Sequence, residues 1–438
     1  MFGWILNAVY LGLLAVLSPV LVWQSWRTGK YRKGWSEKFL GRLPVRENAS
    51  GSGPAVPCVW FHAVSVGEVL LLGPVLKRLG AERPEIEVWL SVTTQTGHDV
   101  ARDKYPECRV VYFPLDFTWA VSNAITRVRP SLVVLVELEL WPNFIRSVDR
   151  AGIPLVLING RMSERSFRGY RRIRPLIASI LRRFSRLGMQ SEEYRARLVE
   201  LGAPPERTEV TGSVKFDGLE SDRANPKTAA LRAAFGLREN DRVLIAGSTQ
   251  APEEELALNT FAALRTEFPD LRLILVPRHK ERFDEVARLV LSRGFSLLRR
   301  SAGTVEGGSD RSPVLLLDTL GELGACWGLA DIAFVGGSLT NRGGQNMMEP
   351  SAYGAAVLFG PNTQNFRQVV ELLLSNSAAE VVHSGDELTA TVQRLLTDTA
   401  LARHRGEAAR NLVLAQQGAT DRTVRMLLEA LPVAKPTR

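Results

Sequence analysis

The sequence has little cysteine and little histidine, three and five residues among 438. Cys58, Cys108 and Cys326 are far apart and odd in number, so they predict neither a disulfide framework nor a zinc site. No group of histidine, cysteine and aspartate has the spacing of metal ligands, and no metal is expected. The scarcity of cysteine favours a reducing compartment for most of the chain.

The chain also lacks the G-x-G-x-x-G and P-loop phosphate signatures, and it has no short-period repeat or heptad array. Its net charge of +9 favours anionic partners, namely lipid headgroups, phosphorylated small molecules or nucleic acid. Nucleic acid is the weakest of these, because no nucleic-acid motif occurs. A hydrophobic content of 45% is typical of a globular protein. The length predicts roughly two to three domains.

Residues 1–26 carry no formally charged side chain, and aromatic residues lie toward both ends of this run. A membrane-spanning helix needs about 20 apolar residues. A secretory signal fits less well, because no basic region precedes the run and no clear cleavage site follows it. We therefore expect an uncleaved membrane anchor, although Asn7 and Pro19 weaken a spanning helix, so that spanning the bilayer and lying in one leaflet both stay open. Basic residues follow at once and place the remainder in the cytoplasm by the positive-inside rule: Arg27, Lys30, Arg32, Lys33, Lys38 and Arg42.

Beyond this segment, short apolar runs alternate with stretches of helical pattern, which predicts parallel βαβ units. A polar stretch at 221–227 is predicted to link two halves, and the Ser- and Gly-rich stretch at 299–313 is predicted to be a surface loop. The predicted domains are a first one over 27–218 and a second one over 228–431. The predicted strands are 58–64, 88–93, 109–114, 132–137, 155–159 and 208–212 in the first half, and 243–247, 271–277, 314–318, 332–336 and 356–360 in the second.

Glu68 follows the first of these strands and falls in the first turn of the next predicted helix. The helix dipole favours an anionic carboxylate there by about 0.3–1 kcal/mol. An ionised carboxylate at such a turn can accept a proton from an attacking hydroxyl. The alternative is that Glu68 only caps the helix.

Two further groups lie at predicted strand ends in the first half. Glu137 and Glu139 follow a very apolar strand, and alternation would point both to one face if the extended conformation persisted. Lys215, in the segment at 211–217, could meet a phosphate or a developing negative charge. The structural alternatives are a helix start at Pro142 and a lysine at the edge of a linker.

Several segments of the second half resemble phosphate-binding turns, each at a predicted strand end. They are individually weak, but together they predict a nucleotide site in this half. Asn346 and Glu349 are three residues apart and would share a face of a helix. The segments are Ala246 to Thr249, Pro277 to His279, Leu320 to Glu322, Gly336 to Leu339 and Gly343 to Glu349.

With these segments in view, the sequence resembles the 3-deoxy-D-manno-octulosonic acid (Kdo) transferase family. The resemblance covers nearly the whole chain. The segments that carry it, in order, are YRKGWSEK (31–38), HAVSVGE (62–68), VELELWPN (136–143), INGRMSERS (158–166), TGSVKFD (211–217), AGST (246–249), LVPRHKERF (275–283), LGEL (320–323), FVGGSL (334–339) and GGQNMMEP (343–350).

The resemblance implies a GT-B fold, in which two doubly wound Rossmann-like domains face a cleft, together with an N-terminal membrane-anchor helix at the cytoplasmic face of the inner membrane. It implies metal-independent, inverting transfer of Kdo from CMP-Kdo to the tetraacyl lipid A precursor, without a cofactor. Glu68 would be the proton acceptor, and Glu137 and Lys215 would stabilise the transition state. The implied CMP contacts are Pro277, Arg278, Leu320, Gly321, Glu322, Asn346, Met347, Met348 and Glu349.

The sequence departs from the family on the side implied to bind the donor. Gln345 stands where the family usually has histidine, and residues 250–255 read QAPEEE where the family often has H-x-G-E-E. The nearest alternative function is another membrane-associated GT-B enzyme that uses a UDP-sugar. A membrane-bound binding protein with an inactive site is less favoured, because Glu68, Glu137 and Lys215 are all present.

Overall fold

The computed structural model describes residues 2–28, 33–47, 56–307 and 312–432, which form two compact units. The first unit contains residues 1–217 and 417–438, and the second contains residues 218–416. This division differs from the predicted domains at the C-terminus, where 228–431 was expected to belong entirely to the second domain. The last helix packs on elements of the first unit, and this contact draws the end of the chain into that unit.

The first unit is built on a parallel sheet with the strand order β3-β2-β1-β4-β5-β6-β7 among the described residues. This order reverses between β1 and β4, which is the arrangement of a doubly wound α/β sheet. The strands are β1 (Cys58–Ala63), β2 (Glu87–Val92), β3 (Arg109–Tyr112), β4 (Leu132–Val136), β5 (Leu155–Gly160), β6 (Arg186–Met189) and β7 (Thr208–Val210).

Helices precede this sheet and connect its strands. Ser65, Thr94 and Ser191 begin three of them as N-caps whose side chains accept a backbone hydrogen bond. The helices are α1 (Phe2–Thr28), α2 (Trp35–Leu40), α3 (Val66–Glu82), α4 (Gln95–Lys104), α5 (Thr118–Val128), α6 (Pro142–Arg150), α7 (Glu164–Arg171), α8 (Arg174–Leu181) and α9 (Glu192–Glu200).

The second unit contains a sheet of the order β11-β10-β12-β9-β8-β13-β14-β15 in the described ranges. Its order reverses between β8 and β13, and β11 alone pairs antiparallel, with β10. The strands are β8 (Arg242–Thr249), β9 (Leu271–Pro277), β10 (Leu297–Arg299), β11 (Val305–Glu306), β12 (Val314–Leu316), β13 (Ile332–Val335), β14 (Ala356–Phe359) and β15 (Ala379–Val381).

The helices of the second unit follow the same alternation. Pro226 begins the first of them and Asn225 caps it, so the predicted linker at 221–227 ends inside a helix. The helices are α10 (Pro226–Ala234), α11 (Glu253–Leu264), α12 (Phe283–Ser292), α13 (Leu323–Cys326), α14 (Met348–Ala352), α15 (Arg367–Ser375), α16 (Gly385–Thr397) and α17 (Thr399–Ala415), and the chain ends with α18 (Ala419–Ala430).

Burial explains why the central strands are continuous apolar runs. In β4 every residue is buried, because apolar side chains pack on both faces of the first sheet. On one of these faces Val424, Met426 and Leu427 of α18 join the cluster formed by α3. The second sheet has its own cluster, which includes Phe261 and Phe334. Each unit therefore has a separate hydrophobic core.

Some predicted elements differ from those observed. The strands β6, β10 and β15, each of three or four residues, were not predicted, because segments this short show no clear period. The equally short β7 and β12 were predicted only as parts of longer runs, 208–212 and 314–318. The predicted loop at 299–313 contains β11, which pairs with β10, and residues 308–311 lie outside the described residues. Hydrogen bonds between strands, which local composition does not reveal, stabilise these short segments.

Helix α1 is held on the first unit by polar side chains. Asn7 is buried, donates to the Thr118 hydroxyl at 2.7 Å and accepts from the Asn143 amide at 3.3 Å. Tyr10 donates to Asp116 at 3.1 Å. Many apolar side chains of α1 are exposed, yet in the described ranges no helix has the length and apolar character of a membrane span. The predicted anchor over 1–26 is therefore not shown, and Lys30 and Arg32 lie outside the described residues.

Candidate active site

Glu68 and Glu137 follow neighbouring strands at the reversal point of the first sheet. Strand β1 pairs with β2 on one side and with β4 on the other. In doubly wound sheets the crevice at this point, beyond the carboxyl ends of the strands, is where ligands bind. Fold topology therefore brings these two predicted site residues to one place.

Glu68 lies in the first turn of α3, in a capping arrangement with Ser65. One carboxylate oxygen accepts from the Val64 backbone N–H at 2.8 Å, and the other accepts from the Ser65 hydroxyl at 2.8 Å. Ser65 in turn accepts from the Glu68 backbone N–H at 3.4 Å. The predicted structural role of Glu68 as a cap is therefore confirmed, and it leaves the carboxylate fixed in orientation.

The surroundings of Glu68 also affect its acidity. Partial burial raises the pKa of the carboxyl, the hydrogen bonds from Val64 and Ser65 lower it, and the charge of Glu137 raises it; the net direction is upward. A general base is most effective when its pKa lies near the working pH. The environment of Glu68 therefore changes its pKa in the direction that proton abstraction requires.

Glu137 directly follows β4 in a left-handed conformation, with φ of 57°. The extended backbone ends at Val136, so alternation does not decide the direction of Glu137 and Glu139. The Glu137 carboxylate lies 3.8 Å from the Lys215 ammonium, and both side chains are partly exposed. The structure thus brings together Glu137 and Lys215, which are 78 residues apart by their numbers.

Lys215 is placed by a short 3-10 turn, Val214–Phe216, that follows β7. The Val214 backbone N–H donates at 3.3 Å to the side chain of Asn159, a buried residue with φ of 53° at the end of β5. The turn is thus tied to the carboxyl edge of the sheet. Lys215 does lie near the edge of the first unit, which ends at Asp217, and its ammonium faces Glu137.

Glu139 is a third carboxyl group of this site; the sequence analysis grouped it with Glu137 at a strand end but assigned it no role. Burial, reinforced by repulsion from Glu68, raises the pKa of Glu139 to about 7. Three carboxyl groups and one lysine therefore lie close enough to interact electrostatically. A carboxylate doublet at a strand end was the available sequence signal for Glu139.

A histidine in β1, the strand that leads to Glu68, belongs to the core of the first unit. His62 is fully buried in β1, stacks on Phe113 with ring centroids 3.6 Å apart, and has Nδ1 3.1 Å from the Ser91 carbonyl oxygen. Burial lowers the pKa of His62 to about 3, so the ring is neutral. His62 is therefore a hydrogen-bonded core residue.

In the second unit, Pro277 and Arg278 lie at the carboxyl end of β9. The Arg278 backbone N–H donates to the Thr249 carbonyl at 3.0 Å, and its exposed guanidinium donates to the Gln345 side chain at 3.2 Å. The structure thus brings two of the predicted donor segments together. The amide oxygen of Gln345 accepts this hydrogen bond and so holds the guanidinium of Arg278 in one direction.

Leu320, Gly321 and Glu322 lie just before α13, a helix of only four residues. Leu320 is 72% exposed and Gly321 has φ of 84°. The Glu322 carboxylate accepts from Arg300 at 3.1 Å and from the Thr319 hydroxyl. This segment therefore precedes a helix N-terminus, but the carboxylate there is already paired.

Asn346 and Glu349 contact each other, although they do not share a helix face. Asn346 precedes α14, accepts from the Met348 backbone N–H and donates to Glu349, both at 3.0 Å. The side chains of Met347 and Met348 are buried. Their predicted contact with a ligand would therefore come from the main chain.

Two glycine-containing segments that resembled phosphate cradles have structural partners instead. Residues 246–249 belong to β8, and a Cβ added at Gly247 would lie 2.3 Å from the Trp327 ring, so this glycine makes room for the ring. In the segment after β13, the backbone N–H groups of Gly337, Ser338 and Leu339 all donate to the side chain of Glu253. Neither segment presents a free row of amides.

Within the described ranges, no group of three or more histidine, cysteine, aspartate or glutamate side chains could hold a metal ion. The first-unit site contains carboxyl groups that can accept a proton and an ammonium group that can offset negative charge, and the second unit presents the exposed guanidinium of Arg278. These roles suit the transfer of a group to a hydroxyl.

Sequence comparison identifies relatives that span almost the whole chain. Residues 33–218 match the family described as 3-Deoxy-D-manno-octulosonic-acid transferase (kdotransferase). A 3-deoxy-D-manno-octulosonic acid transferase of Haemophilus influenzae is 32% identical over 422 residues, covering 95% of this chain and 94% of that protein. One of Bordetella pertussis is 33% identical over 429 residues, covering 95% of this chain and 98% of that protein.

A solved structure with the same fold is a UDP-GlcNAc 2-epimerase from Neisseria meningitidis. It superposes with a TM-score of 0.57, covers 85% of this chain and 100% of that chain, and is 13% identical. At this level of identity the likeness concerns the fold alone. It agrees with an α/β architecture built on parallel sheets.

Proposed function

Because this chain belongs to the Kdo transferase family, we propose that it transfers Kdo from CMP-Kdo to the tetraacyl lipid A precursor, lipid IVA, in lipopolysaccharide biosynthesis. The observation that supports this most is the group formed by Glu68, Glu137 and Lys215 at the reversal point of the first sheet. The proposal includes the GT-B architecture expected from the sequence, which family membership supports.

In the proposed reaction Glu68 removes the proton from the acceptor hydroxyl. The oxygen then attacks the anomeric carbon of Kdo while CMP leaves, so that the configuration inverts. The ammonium of Lys215 and the carboxylate of Glu137 would stabilise the charges that develop. Arg278 would contact the phosphate of CMP, because a guanidinium suits bidentate binding of phosphate oxygens.

We also propose that the protein associates with the anionic cytoplasmic surface of the inner membrane. The support is the exposed apolar side chains of α1, among them Trp4, Ile5 and Val16, with Arg27, Lys33 and Arg42 close behind in sequence. Each basic residue near an anionic surface contributes about 1 kcal/mol of attraction. Such binding would bring the enzyme to a lipid acceptor.

The decisive experiment is an in vitro reaction of the full chain with CMP-Kdo and lipid IVA, with the product measured by mass spectrometry. We expect a mass increase of one or more Kdo units. Thermal unfolding with CMP or UDP tests the alternative. CMP at 100 times its Kd should stabilise the protein by about 2.7 kcal/mol, whereas UDP should not. Stabilisation by UDP alone, without Kdo transfer, would favour a UDP-sugar enzyme.

A further inference from the structure

The reversal point of the second sheet lies between β8 and β13, where a doubly wound sheet usually receives its ligand. The loop after β13 begins with Gly336 and Gly337, and Gly337 has φ of 67°. Successive backbone N–H groups in such a turn form an anion-binding concavity. The fold therefore creates a phosphate-type nest at this edge.

The nest is already filled by a carboxylate of the same chain. One oxygen of Glu253 accepts from Gln250 at 2.9 Å and from Gly337 at 2.7 Å. The other accepts from Ser338 and Leu339, both at 3.0 Å. All four donors are backbone N–H groups, and Glu253 has no exposed surface. The carboxylate thus takes the contacts that phosphate oxygens would otherwise make.

The carboxylate of Glu253 also fills the space beside this turn. A Cβ added at Gly336 would lie 2.6 Å from the Cα of Thr249 and 2.8 Å from a carboxylate oxygen of Glu253. A phosphate is much larger than a methyl group. It would also meet the negative charge of Glu253 at close range.

The same loop leads to the predicted donor contacts. The Gly344 backbone N–H donates to the Gly337 carbonyl at 2.8 Å, and the next residue, Gln345, orients Arg278. Glu253 therefore sets the position of the loop that carries Gln345 and Asn346. A change at Glu253 should therefore alter the affinity for a nucleotide bound at this loop.

We propose that Glu253 is a specificity-determining residue whose carboxylate substitutes for a phosphate in the second unit, so that the site accepts a nucleoside monophosphate donor and excludes a nucleoside diphosphate. This inference rests on the proposed function, since it concerns the donor of that reaction. Glu253 acts by filling the nest and by positioning the loop, and it does not contact the reacting atoms.

Binding of CMP and CDP to the full chain, measured by calorimetry, tests this inference. We expect the wild-type protein to bind CMP at least about tenfold more tightly than CDP, because unpaired or repelled buried charges are costly. In E253A the freed N–H groups should receive the second phosphate, and the preference for CMP should fall about tenfold or more. Added formate should refill the nest and restore the preference.

The matched control is E254Q, which changes the next residue in the same helical turn. Glu254 is equally buried, but it pairs with Arg282 and does not contact the nest. E254Q should keep the wild-type ratio of CMP to CDP affinity. If the role of Glu253 were merely structural, E253A would bind CMP and CDP more weakly by the same factor. Added formate would then not restore the preference for CMP.

The outcomes separate this inference from the proposed function. Equal affinity of the wild-type protein for CMP and CDP overturns the inference, whether or not any variant folds. An unchanged ratio in a folded E253A protein, or an equal change in E254Q, overturns it as well. If the wild-type protein transfers Kdo in these cases, the proposed function stands. Wild-type protein that binds neither nucleotide counts against both.

Discussion

Glu68 caps helix α3 and is also the proposed catalytic base, and these two roles need different chemistry. Capping needs an oxygen acceptor, which glutamine also provides, whereas proton abstraction needs a carboxylate. We therefore expect E68Q to lower the rate of Kdo transfer about 10²–10⁴-fold while the protein stays folded. The measurement is steady-state transfer with thermal unfolding beside it.

A binding measurement and a control variant show whether the effect of E68Q is specific to catalysis. CMP affinity should be unchanged, because the predicted nucleotide contacts belong to the second unit. The control is E82Q at the other end of the same helix, where Glu82 pairs with Arg78 on the surface. Turnover of E68Q at the wild-type rate would exclude Glu68 as the base.

Glu139 makes stability depend on pH, because burial raises its pKa to about 7 from 4.5. Between these values the folded state binds more protons than the unfolded state, so stability falls as the pH rises through this window. We expect wild-type protein to lose about 1–2 kcal/mol of unfolding free energy relative to E139Q between pH 5 and 8, after allowance for partial exposure. Urea unfolding at each pH measures this difference.

The exposed residue Glu193, changed to glutamine, provides the comparison for E139Q. It lies on helix α9 and its side chain is 66% exposed. E193Q should follow the wild-type pH dependence. If the unfolding free energies of the wild-type and E139Q proteins changed in parallel with pH, Glu139 would titrate at an ordinary pKa.

At the scale of elements, the attachment of α1 depends on a buried amide and not on apolar packing alone. Asn7 exchanges hydrogen bonds with Thr118 and accepts one from Asn143. N7L would remove these hydrogen bonds at a cost of about 1–3 kcal/mol, although the Asn143 amide would keep its bond to the Asp116 carbonyl. We expect faster hydrogen exchange in α1 and α5 of the N7L protein than in the wild-type protein.

The control for N7L is L11A, at an exposed position of α1, which should change hydrogen exchange little. Equal exchange in N7L and wild-type protein would exclude this role.

At the scale of the whole molecule, the chain closes its first unit with its last helix. Asp217 accepts from the backbone N–H groups of Gly418 and Thr420, and Arg78 on α3 donates to Asp421 at 2.7 Å. Leu427 is 1% exposed in the core shared with α3. The end of the chain is therefore a structural part of the first unit.

L427A tests this arrangement. Removing a buried leucine side chain should lower the unfolding free energy by about 2–5 kcal/mol. The accompanying increase in hydrogen exchange should appear in α3 and α18 of the first unit. L374A, at a position 39% exposed in the second unit, should cost less than about 0.5 kcal/mol. An effect of L427A confined to residues 226–415 would contradict the assignment of α18.

Local sequence was sufficient for much of the fold. The strand at 271–277 was predicted with its observed bounds, and Glu68 was predicted to lie in the first turn of a helix. Such features depend on residues close in sequence: an apolar run requires burial, and Ser65 three residues before Glu68 begins a helix. Residue types at strand ends already indicated Glu68, Glu137 and Lys215; family resemblance added their specific roles, which remain predictions.

The tertiary structure decided what fills each turn and which segments meet. Local sequence presented the glycine turn after β13 as a free phosphate cradle, but Glu253, 84 residues earlier, occupies it. The meeting of Lys215 with Glu137 and the return of α18 to α3 likewise depend on strand order and on packing between distant segments. A sequence pattern specifies which groups need burial or a hydrogen-bond partner, whereas only the folded chain selects that partner from residues far away.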